Sequence, residues 1–177
     1  ASLISAGTEK MLIDLAQKSY LGKAQARPDL VKKVLRKVRT EGLWTTIQKV
    51  KSKVERPMPL GYSAAGIVEQ VGDEVQGVRV GDRVAVGGAG YANHAEVNVV
   101  TKNLVAEVPK GVAFEEAAYA TLGSIALQGV RLAEPQLGEQ AAVIGLGLVG
   151  LLTVQLLKAN GCRVIGIDLD PGKVERA

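Results

Sequence analysis

One cysteine and one histidine stand among 177 residues. The single thiol, Cys162, excludes a disulfide framework within the chain and fits a reducing, cytoplasmic compartment. Long apolar runs are also lacking. None reaches the length that spans a bilayer and no secretory signal is visible, so no membrane association is expected. The first residues, Ala1-Ser2-Leu3-Ile4, lack an initiator methionine, and residues 171–177 read as a helix just beginning. The chain is therefore expected to be an internal piece of a longer protein. What is present suits an ordinary α/β protein with one sizeable core or two small ones: 47% hydrophobic residues and 21 glycines.

The formal charge of +4 conceals an asymmetry. Residues 23–56 hold 11 Lys or Arg against 3 Asp or Glu, a net of +8, and the rest of the chain nets −4. Nucleic acid is a poor fit to this basic segment. Its aromatic, Trp44, falls on an apolar helical face rather than among the lysines.

Periodicity divides the chain into a helical part and a strand-rich part. Residues 1–5 read as the end of a strand. Thr8 is placed to cap a helix over residues 9–18, with Met11, Leu12, Leu15 and Ala16 on one face. Pro28-Asp29 opens a second helix, in which Leu30, Val31, Val34, Leu35 and Val38 face away from Lys32, Lys33, Arg36, Lys37 and Arg39. Gly42 interrupts it. A third helix holds Leu43, Trp44, Ile47, Val50 and Val54, and Pro57 and Pro59 end the region. From Gly61 onward short strands are expected: a strand and turn at 66–72, a Gly81-Asp82 turn leading into a strand within 78–86, then strands at 95–100 and 103–108. Residues 114–132 read as one helix with Glu115 and Glu116 in its first turn.

The richest motif follows. Ala141-Ala142-Val143-Ile144 is an apolar strand that feeds Gly145-Leu146-Gly147-Leu148-Val149-Gly150, a G-x-G-x-x-G sequence. A helical run at 151–158 and a second strand at 163–167 come next, ending on Asp168. That order is a dinucleotide-binding βαβ unit. Gly145 permits the tight turn, Gly147 lets backbone amides approach a pyrophosphate, and Gly150 lets the helix pack closely on the strand. The phosphates would sit at the helix N-terminus, where unpaired amides and the dipole favour negative charge. Asp168, 18 residues beyond Gly150, is placed to accept from ribose hydroxyls. A carboxylate there repels a 2′-phosphate, so NAD(H) is favoured over NADP(H). Lys173 either reaches the adenosine ribose or is solvated. A Gly-rich turn that binds nothing, and a βαβ unit for another adenosyl ligand such as S-adenosylmethionine, are the competing readings.

The motifs taken together resemble the medium-chain dehydrogenase/reductase superfamily. The matching pieces are Pro59-Leu60-Gly61, Gly66-Ile67-Val68-Glu69-Gln70-Val71-Gly72, Val80-Gly81-Asp82-Arg83-Val84, Phe114-Glu115-Glu116-Ala117-Ala118 and the Gly-rich loop, in family order. Ser5-Ala6-Gly7-Thr8-Glu9 resembles the family's first active-site loop. The resemblance implies an α/β fold: a partial GroES-like β-barrel with a helical insertion, followed by the first half of a Rossmann doubly wound parallel sheet. Residues 1–123 would be the catalytic part, with the basic insertion at about 9–57, and residues 124–177 the start of the nucleotide domain.

Zinc-dependent members of that superfamily carry a Cys in the first loop, a His-Glu pair after the glycine and a third ligand in the interdomain helix. This chain has Ala6, Tyr62-Ser63 and no Cys, Asp or Glu around 120–122. Zinc needs three or four such ligands converging, so no zinc is expected, neither catalytic nor structural. Without that Lewis acid, side chains must handle the proton. Tyr62, Thr8 and His94 are the candidate catalytic residues. Tyr62 either donates a proton or hydrogen bond or plugs the space left by zinc. An imidazole is the side chain suited to moving protons near neutral pH, so His94 either does so or is a hydrogen-bonded loop residue. Ser63 reads as a turn hydroxyl.

The resemblance implies an NAD(P)-dependent, zinc-independent oxidoreductase that acts on a small-molecule carbonyl or activated alkene, as a homo-oligomer. The insertion, with Ser-Ala-Gly-Thr-Glu before it and Gly-Tyr-Ser after it, resembles a zinc-free branch whose members include fusions to a glucose-fructose oxidoreductase-type domain. The insertion could be a lid, a dimer surface or an anionic-substrate funnel, or simply amphipathic helices with their lysines in water. A non-catalytic nucleotide-binding or scaffold protein is the alternative from a different class.

Overall fold

The computed structural model describes residues 1–19, 22, 25, 28–42, 44, 45, 48 and 58–177. They divide into two compact units, one of Ala1–Leu3 with Leu60–Ala177 and one of Ile4–Pro59.

In the unit Ile4–Pro59, helix α1 spans Ala6–Gln17 and helix α2 spans Pro28–Glu41. Helix α1 starts earlier than a Thr8 cap would have it. Ser5 is the N-cap, and its backbone N–H donates to Glu9 Oε1 at 2.9 Å. A carboxylate at the positive end of a helix makes a charge-assisted bond that a threonine hydroxyl does not match. Thr8 lies within the first turn and is exposed. Helix α2 begins on Pro28, whose missing N–H costs nothing at that position. Val31, Val34 and Val38 are half-buried along one stripe while Lys32, Arg36 and Arg39 are exposed. Gly42 ends the helix at φ +85°, with its N–H donating to the Val38 carbonyl at 3.2 Å. Most of the expected third helix, including Leu43, Ile47, Val50 and Val54, lies outside the described residues, as does Pro57 after it; Trp44 is exposed.

The other unit opens with a small antiparallel sheet. Strand β1 (Ser63–Ile67) pairs with β2 (Arg83–Gly87), and β2 pairs with β3 (Val105–Glu107). Residues 1–5 form no strand of their own. Ser2 makes one bridge to Ala64, flanked by Leu3 N–H to the Ser63 carbonyl at 3.0 Å. The core beneath the sheet is built of small residues, Ala65, Ala85, Ala117 and Ala118, with Val108 and the ring of Phe114. Arg83 stacks its guanidinium over that ring, 4.6 Å from the centroid.

Among the described residues no closed barrel forms. The strand expected at 95–100 is irregular backbone. Asn98 explains this: its Oδ1 accepts from Asn93 N–H at 3.0 Å and its Nδ2 donates to the Asn93 carbonyl at 3.1 Å. Such side-chain bonds compete with a sheet ladder. Three short strands cannot close on themselves.

The expected single helix at 114–132 is two: α3 (Phe114–Ala117) and α4 (Ala120–Ala133). Helix α4 leads to β4 (Gln140–Ile144), α5 (Leu148–Ala159), β5 (Arg163–Ile167) and α6 (Pro171–Arg176). Strands β4 and β5 are parallel and in register from Gln140↔Arg163 to Ile144↔Ile167. A parallel pair joined through a helix is the βαβ unit expected from the sequence. Its core gathers Val130 of α4, Val143 of β4, Leu146, Val154 and Leu157 of α5, and Cys162. No helix of the described residues is long and apolar enough to cross a membrane.

Candidate functional site

The turn between β4 and α5 is shaped by its glycines, each for a separate reason. Gly145 sits at φ +91°, a conformation that side chains disfavour. Its N–H continues the ladder to the Ile167 carbonyl at 2.7 Å. Gly150 is required by space: a β-carbon there would collide with the Gly145 carbonyl oxygen. Gly147, the N-cap of α5, meets nothing within 4 Å, so its outer side is open. Leu148, Val149 and Gly150 form the first turn of α5, whose N–H groups have no carbonyl within the helix to receive them. The turn therefore has a donor-rich, sterically open mouth, which is what a pyrophosphate requires.

Leu146 has a different place. Its side chain is 1% exposed, packed over Gly166, and its backbone N–H donates to Asp168 Oδ2 at 2.7 Å. Asp168 Oδ1 accepts from Asp170 N–H at 2.9 Å and lies 3.5 Å from Lys173 Nζ on α6. The Asp170 amide and then the Leu146 amide, with a lesser contribution from Lys173, hold the Asp168 carboxyl below its ordinary value against the opposing effect of desolvation. Asp168 and Lys173, expected separately from the sequence, are thus one ion pair beside the Gly-rich turn.

The cleft candidates fall into two places. Tyr62 is half-buried just before β1, and its carbonyl accepts from Gly88 N–H at 2.9 Å. Its neighbour Gly61 sits at φ +95°, and a β-carbon there would lie 2.7 Å from the His94 backbone nitrogen. His94 is exposed, donates its own N–H to the Leu60 carbonyl at 2.9 Å, and places Nδ1 2.9 Å from Ser2 Oγ. His94 therefore packs against Gly61, the residue before Tyr62. Thr8 belongs to the other unit.

Ser63, expected as a turn hydroxyl, stands instead in strand β1, and Thr121, which the sequence left unassigned, also has a structural role. Ser63 is 1% exposed and its hydroxyl donates to the Ala118 carbonyl at 2.6 Å, tying β1 to the end of α3. Thr121 of α4 stands against Gly87, where a β-carbon would lie 2.6 Å from Thr121 Oγ1. The signal for both was the small residue opposite: Gly87 is paired with Ser63 in the sheet. Among the described residues no cluster of three or more His, Cys, Asp or Glu could hold a metal ion. A cavity of about 240 Å³ lined by Asp82, Val84, Lys102, Val105 and Glu107 contains none of the candidate residues.

An antiparallel sheet followed by a βαβ unit with this turn and terminal acid defines an α/β protein of the dehydrogenase type. The model of the alcohol dehydrogenase GroES-like domain matches residues 32–126, and the chain belongs to that family, within the medium-chain dehydrogenase/reductase superfamily. It is 28% identical over 148 residues to (R,R)-butanediol dehydrogenase of Bacillus subtilis, covering 68% of this chain and 42% of that protein. It is 35% identical over 128 residues to quinone oxidoreductase of Salmonella typhimurium, covering 68% of this chain and 38% of that protein. Among solved structures, Escherichia coli quinone oxidoreductase complexed with NADPH superposes with a TM-score of 0.60 at 30% identity, over 71% of this chain and 41% of that one. The chain thus spans about two-fifths of the length of these relatives.

Proposed function

We propose that the protein is an NAD(P)-dependent, zinc-independent oxidoreductase that transfers hydride to or from a carbonyl or activated alkene of a small molecule. The observation that carries this reading is the open N-terminal turn of α5 beside the Asp168 carboxylate. A nicotinamide cofactor supplies or takes the hydride when bound. Residues 145–150 would hold its pyrophosphate through the Gly147–Gly150 amides. Asp168 would accept from the adenosine ribose and disfavour a 2′-phosphate, with Lys173 at its side, so NAD(H) is the preferred cofactor. The division near residue 123, inside α4, would separate the catalytic part from the nucleotide part.

Zinc independence is supported by residue type. Ala6, Tyr62, Ser63 and residues 120–122 offer no Cys, His or carboxylate where the family's zinc-dependent members carry ligands. Tyr62 takes the role of hydrogen-bond or proton donor to the substrate oxygen, with His94 as a further polar group of the same unit and Thr8 a separate candidate in the other. Cys162, buried and unpaired with another cysteine, agrees with a reducing, cytoplasmic setting. A homo-oligomer is part of the same proposal, checked by light scattering.

The test is turnover with NADH and a panel of enones, quinones and keto-sugars. Turnover that falls roughly 10²-fold in kcat in Tyr62→Phe supports the assignment of that hydroxyl. Nucleotide binding with no turnover on any of these substrates would favour a non-catalytic scaffold.

A further inference from the structure

We infer that Asp168 is a positioning residue: its carboxylate latches the end of β5 to the backbone of Leu146 and so holds the Gly-rich turn in its open shape before any ligand arrives. Its purpose rests on the nucleotide-binding reading above, but its existence rests on geometry alone.

The turn is clamped at two successive amides. Gly145 N–H donates to the Ile167 carbonyl at 2.7 Å, the last step of the β4–β5 ladder. Leu146 N–H, one residue on, has no strand to pair with and donates to Asp168 Oδ2 at 2.7 Å instead. The side chain of Leu146 is 1% exposed and would touch a β-carbon at Gly166 at 3.0 Å. The Leu146 peptide is thus fixed on its apolar side by packing and on its polar side by the carboxylate. Removing the carboxylate leaves a part-buried amide without its acceptor, which rotation of the turn would relieve.

The same geometry limits what Asp168 can do for a ligand. A carboxylate offers about four acceptor positions. Leu146 N–H, Asp170 N–H and Lys173 Nζ occupy three of them. One position on Oδ2 remains, so a ribose diol can engage both oxygens only if Lys173 swings away from Oδ1. Lys173 is 41% exposed and able to do so.

Charged groups near the latch are few. Lys173 comes from α6. Asp170 follows two residues on, with its own Oδ1 accepting from Gly172 N–H at 2.9 Å. Residues 140–157, which include β4, the turn and most of α5, carry no charged side chain, and Arg163 stands at the opposite end of β5. The lowered carboxyl of Asp168 agrees with a latch that stays charged until acid conditions.

Amide hydrogen exchange on the ligand-free protein tests this, residue by residue, in wild type, Asp168→Ala and Asp168→Asn. The latch predicts that protection at Leu146 falls roughly tenfold or more in Asp168→Ala. Asp168→Asn, which keeps one acceptor oxygen, restores part of it. Gly145, bonded to Ile167, keeps its protection in both variants and reports that β4 and β5 remain paired. In wild type, the Leu146 protection factor falls as the pH drops below the ordinary aspartate range, with Gly145 unaffected. Unchanged Leu146 protection in Asp168→Ala overturns the latch. Should that variant lose Gly145 protection too, the wild-type pH series decides, and a Leu146 factor flat through the acid range overturns it. A parallel NADH titration of wild type separates the two ideas. Absent binding with the pH-sensitive Leu146 bond intact sinks the nucleotide reading and leaves the latch.

Discussion

At Ser63 a hydroxyl expected in a turn instead donates to the Ala118 carbonyl, fully inside the protein. Removing it leaves that carbonyl buried and unpartnered. Ser63→Ala should therefore lower unfolding stability by about 1–3 kcal/mol, measured by denaturant titration. Asp168 gives a second residue-scale prediction. Its carboxyl lies below the ordinary 3.8, chiefly because the Asp170 amide bonds it, then the Leu146 amide. A folded value below the unfolded one means the carboxylate's contribution is complete above the unfolded value. It is lost as the pH falls through the folded one. Stability measured in acid steps should thus decline below about pH 4, and more steeply in wild type than in Asp168→Asn. The identity of Asp168 was legible from its place after an apolar strand. Its bond to Leu146 was not, because which lone pair an acid offers, and to which amide, depends on the turn it faces.

Elements were legible where periodicity and punctuation agreed. Strands β4 and β5, helix α5, and α2 with its Pro28 start and Gly42 stop all fall where pattern and breaker coincide. Pattern alone misled at 95–100, where Val97 and Val99 alternate as a strand would but stand 65% and 88% exposed. There the Asn98 side chain supplies the bonds that a neighbouring strand would have made. It misled again at 114–132. Tyr119 sits at φ −80°, ψ −6°, the Ala118 carbonyl turns to Ser63, and the helix restarts at Ala120. Tertiary bonds of this kind leave no local trace in the chain. Helix α4 ends on Glu134 at φ +47°, a left-handed conformation that costs an L side chain about 1–2 kcal/mol. Glycine adopts it freely but loses more entropy on folding. Glu134→Gly should accordingly stabilise the protein by up to about 1 kcal/mol, seen as a rise in Tm.

At the scale of the whole molecule, the basic segment and the Gly-rich turn belong to separate units, Ile4–Pro59 and Ala1–Leu3 with Leu60–Ala177. The charge asymmetry was visible in the sequence. Its use was not, since lysines on the outer side of an amphipathic helix look alike whether they meet solvent or an anion. Family membership was legible because five short motifs keep their order, and the GroES-like match over 32–126 agrees with the four that lie within it. The nucleotide turn is the claim on which the functional account stands. Calorimetric titration of NADH and NADPH into the wild-type protein and Asp168→Ala tests it most directly. The account predicts NADH binding tighter than NADPH binding in wild type, with NADH binding weakened in the variant. Failure of both nucleotides to bind wild type would contradict the account and leave a protein with the architecture of a dehydrogenase and another use for it.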